Sequence, residues 1–122
     1  MTLQINPVLD INYLNQVYGD DANIIHLIFD AFLSDSMPRW HSLKTALDEE
    51  NLKESASIVH GLKPSFTMAG LTAIRPKVDQ LEKDIKAKAE IDKLKQAYLH
   101  ISEELIPLIA VIESESKRLS AL

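Results

Sequence analysis

Apolar side chains recur along this chain at intervals of three and four residues, the period of a helix with one buried face. The clearest stretch runs Leu52, Ala56, Val59, Leu62, Phe66 and Ala69, with spacings of 4, 3, 3, 4 and 3. A longer one takes in Ile91, Leu94, Tyr98, Ile101, Leu105, Leu108 and Ile112. Shorter faces are set by Ile11, Leu14 and Val17, and by Ile25, Ile28, Phe29 and Phe32. Two more come from Trp40, Leu43 and Leu47, and from Ile74, Val78, Leu81 and Ile85. No segment sustains a period of two, and no Asn-Gly or Asp-Gly hairpin signal occurs.

Short polar segments separate these faces. Asp10 is placed to cap a helix that Gly19 ends, and Asp20 and Asp21 open the next. Ser34, Asp35 and Ser36 with Pro38 predict a break and a fresh helix start. The fourth helix begins near Asn51 and is stopped by Gly70. Pro76 falls in the first turns of the fifth, where a missing N–H costs little. Pro107 lies inside the last helix and should bend it. Long amphipathic helices with short connections fold as an antiparallel bundle. The expected fold is therefore all-α, an antiparallel four-helix bundle with one or two short additional N-terminal helices. The helix before Pro38 is expected alongside the bundle or across one end. A single domain is expected over residues 1–122, its short first helix at about 10–18 and its bundle at about 21–119.

Composition narrows the function classes. Cysteine is absent, which excludes disulfides and thiolate metal sites and fits a reducing compartment. The formal net charge is -5. Lysines gather at Lys83, Lys86, Lys88, Lys93 and Lys95, but acids are interleaved with them, so no basic stripe points to nucleic acid. The longest apolar stretch, residues 105–112, is interrupted by Pro107 and is far short of the ~20 residues of a membrane helix. Met1 to Pro7 lack a basic segment followed by an apolar run. The expectation is a cytoplasmic monomer with neither nucleic-acid nor membrane partners; the sequence leaves open a free-standing protein or an excised domain of a larger one, and Met1 favours the former.

Four histidines are candidates for chemistry: His26, His41, His60 and His100. Three residues before them stand Asn23, Pro38, Ser57 and Ala97, so the Glu-x-x-His pairs of di-iron bundles are missing. No His-Glu-x-x-His occurs either, and no metal site is expected. There is no Gly-x-Ser-x-Gly elbow. Gly19, Gly61 and Gly70 are isolated, so neither common phosphate loop can form to bind ATP.

His60 remains. On the fourth helix it falls beside the apolar stripe, and Ser57, Lys63, Pro64 and Thr67 share its face at -3, +3, +4 and +7. A neutral imidazole nitrogen is a competent nucleophile near neutral pH. Lys63 is placed to lie against phosphoryl oxygens, and the small neighbours let another protein's site approach. The other reading is that His60 and Lys63 are ordinary exposed residues. Gly61 and Pro64 count against it. In a helix interior they cost roughly 1 and 3 kcal/mol against alanine. Pro64 also has no N–H to offer the carbonyl of His60. Local rules broken together beside one candidate mark a functional site, unless Pro64 simply ends the helix.

At these residues a family resemblance enters. The stretch from His60 to Gly70, HGLKPSFTMAG, resembles the signature of histidine-containing phosphotransfer (HPt) domains. In that signature the phosphoacceptor histidine is followed by Leu at +2, Lys at +3 and Gly at +10, matched here by Leu62, Lys63 and Gly70. A Leu-Glu pair expected about 21 and 22 residues on is matched by Leu81 and Glu82. Leu9-Asp10, Tyr18-Gly19-Asp20 and Phe32-Leu33 also look like the family.

The resemblance implies a four-helix bundle with an exposed histidine and no kinase activity of its own. It implies a phosphorelay carrier that exchanges a phosphoryl group with the aspartate of a response-regulator receiver domain, and a hybrid histidine kinase as a further partner. The carrier would need no cofactor, since Mg²⁺ comes with the receiver. By that carry-over His60 is the phosphoacceptor, Lys63 its charge partner, and Glu82 the residue that orients the imidazole by accepting its other N–H. From the residues alone Glu82 is equally a solvated glutamate. Ser57, Gly61, Pro64 and Thr67 become the docking face.

One departure stands out: the family usually has glycine where this chain has Pro64, and Phe66 stands near a position that is often small. On this reading Gly61 recovers clearance for the partner and Pro64 rigidifies the turn that carries His60. Pro64→Gly should then change transfer kinetics more than it changes the fold. Two rivals remain. The dimerisation helices of a histidine kinase would put Glu where Gly61 follows His60 and would be followed by a nucleotide-binding domain. A helical adaptor without phosphate chemistry explains the core, but not Gly61, Pro64 or the Leu81-Glu82 spacing.

Overall fold

The computed structural model of the chain describes residues 4–122. Among them, helices are the only regular elements: α1 (Ile11–Tyr18), α2 (Ala22–Ala31), α3 (Met37–Asp48), α4 (Leu52–Met68), α5 (Arg75–Lys86) and α6 (Ile91–Ser120). Three starts are capped by side chains that satisfy an orphan N–H. Asp10 accepts from the Tyr13 N–H at 3.0 Å, Asp21 from Ile24 at 3.0 Å and Asn51 from Glu54 at 3.1 Å. At the far end of α4, Gly70 takes φ +80°, its N–H donates to the Thr67 carbonyl, and that of Leu71 donates to Phe66. That pair of bonds is a Schellman stop, and it requires the left-handed residue that glycine supplies.

The break expected at Ser34–Ser36 does not occur. Phe32–Ser36 form a π-helical stretch, and the Met37 N–H donates to the carbonyl of Phe32, five residues back. Pro38 lacks the N–H that would serve Ser34, which is why the sequence reads there as a helix start. One widened turn lets the chain pass the proline without leaving the helix. The segment α2–α3 is thus one continuous rod, and only α1 is a short additional helix. Two interior prolines behave alike in one respect: α4 continues through Pro64 to Met68, and α6 continues through Pro107.

The rod, α4, α5 and α6 form the bundle. The α3 part of the rod packs on α4, α4 on α5, α5 on α6, and α6 closes the ring against both α2 and α3. Because α6 is much longer than α5, its first half meets α3 and its second half meets α2. The Trp40 indole N–H donates to Ser102 Oγ at 3.0 Å, while Ser116 Oγ donates to Asp30 and meets His26 Nδ1, each at 2.8 Å.

One apolar core joins all the helices. At its centre Trp40 stacks on Tyr98 with ring centroids 4.9 Å apart and meets Phe66 edge to face at 5.7 Å. Phe66 meets Phe32 in the same way. Buried aromatic pairs of this kind add about 0.5–1.5 kcal/mol each beyond area burial, and Phe66 ties α4 to the rod through two of them. The end of the bundle is closed by α1. The Asp10 N–H donates to the Gly70 carbonyl at 2.9 Å, and Thr72 Oγ1 donates to Asp10 at 2.6 Å. Among the described residues no helix is long and apolar enough to cross a membrane.

Candidate functional site

Burial of Val59, Leu62 and Phe66 orients α4 and leaves Ser57, His60, Gly61, Pro64 and Met68 exposed along its outer side. The His60 side chain keeps 69% of its surface open. Facing it, α5 presents Arg75, Asp79, Glu82 and Lys86, spaced 4, 3 and 4 and so on one side of the helix. Val78, Leu81 and Ile85, which are buried, turn that side toward α4.

Glu82 is the hub. Its carboxylate is 7% exposed and takes three cations or donors. Lys63 Nζ donates to Oε1 at 2.6 Å, His60 Nδ1 lies 2.9 Å from Oε2, and Lys86 Nζ is 3.5 Å from the same oxygen. A second carboxylate, Asp79, receives Arg75 Nε at 3.0 Å and lies 3.9 Å from Lys63. The Arg75 guanidinium also donates to Thr67 Oγ1 at 2.7 Å and to the Lys63 carbonyl at 3.1 Å, pinning α5 to α4 below the histidine.

These contacts decide the protonation pattern. The Lys63 hydrogen bond holds the Glu82 carboxyl below the usual carboxylate range; burial opposes it, and the His60 hydrogen bond and the Lys63 and Lys86 charges add to the lowering. Glu82 is therefore ionised near neutral pH and can only accept. The network then assigns the proton of a neutral His60 ring to Nδ1, which donates to Glu82. Nε2 is left with its lone pair, on a ring open to approach. That is the arrangement of an oriented nucleophile.

The structure brings His60, Lys63 and Glu82 together across 22 residues of chain. Ser57, Gly61 and Pro64 lie on the exposed side, as the helical spacing implies, whereas Thr67 is half-buried and holds Arg75. The clearance expected beside Gly61 is not open space. The Arg39 guanidinium from α3 lies against it, 3.2 Å from where a Cβ would stand. Sequence reasoning missed Arg75, Asp79 and Lys86, although their spacing from Glu82 along a helix was readable. Arg39 carries no such signal, because its place depends on how α3 crosses α4. Among the described residues no group of His, Asp and Glu side chains is arranged to hold a metal ion.

Comparison with known proteins bears on this geometry. The family model described as Hpt domain matches residues 28–115, well over half of the chain and including His60, Lys63 and Glu82. No curated protein and no solved structure matches.

Proposed function

The chain belongs to the Hpt domain family, phosphoryl carriers of phosphorelays rather than kinases, and on that premise we propose that His60 is its phosphoacceptor. The observation that carries this reading is an exposed imidazole whose Nδ1–H is held by a buried, ionised carboxylate. Nε2 attacks the phosphorus of an aspartyl phosphate on a receiver domain. The N–P bond forms as the bond from phosphorus to the aspartate oxygen breaks, and the aspartate leaves as carboxylate. The imidazole gains positive charge as the N–P bond forms, and Glu82 faces that charge. Lys63 lies on the same face for the phosphoryl oxygens. The reverse steps return the group to a receiver, so no proton need leave Nδ1 in either direction. Mg²⁺ belongs to the receiver in this scheme, and a hybrid kinase is a second partner at the same face. A receiver-domain partner supports a cytoplasmic carrier.

The rival reading is a helical adaptor, which has no use for a carboxylate buried beneath a solvent-exposed histidine. The test is to mix the protein with a panel of phosphorylated receiver domains and to seek label that is acid-labile and base-stable. Transfer to the wild type and none to His60→Gln is expected. Label that persists in His60→Gln overturns the site. No transfer from any receiver favours the adaptor.

A further inference from the structure

Gly61 follows His60 on α4, and the space its side chain would take holds the end of another one. A Cβ at Gly61 would stand 3.2 Å from one terminal nitrogen of Arg39, and 3.3 Å from both the other terminal nitrogen and the guanidinium carbon. Near-equal distances to all three atoms mean that the planar group lies face-on to Gly61. Its N–H groups point within that plane and stay available to an acceptor. Among the described residues the Arg39 guanidinium makes no hydrogen bond or ion pair.

The other cations beside His60 are already engaged. Lys63 and Lys86 share Glu82, and Arg75 is bound to Asp79 and Thr67. A phosphoryl group on Nε2 brings close to two negative charges. It must either draw Lys63 away from Glu82 or find a further cation. A guanidinium suits the second course, because its fork matches two phosphate oxygens at once and loses little hydration in doing so. Gly61 directly follows His60, so the guanidinium rests against the residue next to the candidate phosphoacceptor, at the end of a flexible side chain.

We propose that Arg39 is a phosphoryl-binding residue of this site, stored against Gly61 in the free carrier and closing on the phosphoryl oxygens once His60 is loaded. The proposal rests on His60 as the phosphoacceptor. It also gives the glycine at position 61 a role, because a Cβ there would crowd the stored guanidinium and make it give by a few tenths of an ångström.

Phosphoramidate, which phosphorylates histidine without a partner protein, separates this contact from docking. The loaded full chain is followed by ³¹P NMR across pH, together with the Nε–Hε resonance of Arg39. In the wild type that resonance should move on loading. In Arg39→Gln the last ionisation of the phosphoryl group should weaken about fivefold, the effect of one solvent-exposed ionic contact, and Arg39→Lys should recover part of it. An identical phosphoryl titration in wild type and Arg39→Gln, or an Arg39 resonance that ignores loading, overturns the role of Arg39 while leaving His60 in place. A wild type that forms no phosphohistidine overturns both.

Discussion

Glu82→Gln removes one charge and almost nothing else, so its effect can be worked from the contacts. The carboxylate accepts from Lys63 at 2.6 Å and from His60 at 2.9 Å. Glutamine keeps the shape but has one acceptor oxygen, and both partners are donors. One of the two must then face an NH₂ group. The loss is one charge-assisted hydrogen bond, about 1.5–3 kcal/mol, reduced because Lys63 has Asp79 3.9 Å away as a second partner. About 2 kcal/mol is expected near pH 7, which lowers a urea midpoint by about 1 M.

The pH dependence is the sharper part of this test. The folded-state pKa of Glu82 lies below its ordinary 4.5. Its contribution is therefore complete above the ordinary value and disappears as pH falls through the lowered one. The gap between wild type and Glu82→Gln should accordingly close in strong acid, where both side chains are neutral. Paired urea titrations near neutrality and in strong acid measure it. Equal stabilities near neutrality, or a gap that persists in acid, would refute the claim that an ionised Glu82 holds this site together. Glutamine should also slow phosphoryl transfer about tenfold, since Nδ1–H loses the acceptor that fixes the ring.

Three other substitutions probe the elements that carry the site. Pro64→Ala returns an N–H to the His60 carbonyl and should raise the urea-derived stability by about 1–3 kcal/mol, while transfer from a receiver should slow; an unchanged or faster rate would discard a role for the proline's rigidity. Gly70→Ala forces an L side chain into φ +80° with its Cβ 3.0 Å from Leu14, and should cost about 2–4 kcal/mol in thermal or urea unfolding. Phe66→Ala empties the contact between α4 and the Trp40 cluster and should cost about 3–5 kcal/mol, with the Trp40 fluorescence changing in the folded state.

How far the sequence could be read depended on whether a feature is local. The faces of α4 and α6, the Asp10, Asp21 and Asn51 caps and the Gly70 stop each depend on side chains a few residues apart, and all were legible. Pro38 misled for an equally local reason: its missing N–H marks a helix start or a repaired interruption, and only the i-to-i+5 bond at Met37 distinguishes them. At the site, His60 and Lys63 were legible from one helix. The position of Glu82 came from a family spacing, but the direction of its side chain did not, because that depends on how α5 lies against α4. Arg39 was out of reach altogether. Nothing in Arg39 or its neighbours indicates that a glycine 22 residues later leaves room for its guanidinium.

The buried carboxylate sets a limit on the proposed carrier that the cations alone would hide. Glu82 accepts from His60 Nδ1 and so fixes the ring, but its charge would also oppose a phosphoryl group on His60. Lys63 and Lys86 cannot fully serve both anions, since each already lies against Glu82. A phosphoryl group on Nε2 is thus held by shared and solvent-exposed cations, each contact worth about 1 kcal/mol or less. Such a site gives the loaded state enough stabilisation to form, and not so much that the group is trapped. A histidine over an uncharged core would lose the orientation, and one with Lys63 freed from Glu82 would hold the phosphoryl group more tightly and release it more slowly. Reversible transfer is served by the compromise between them, with His60 tied to an acid that has already claimed most of the neighbouring positive charge.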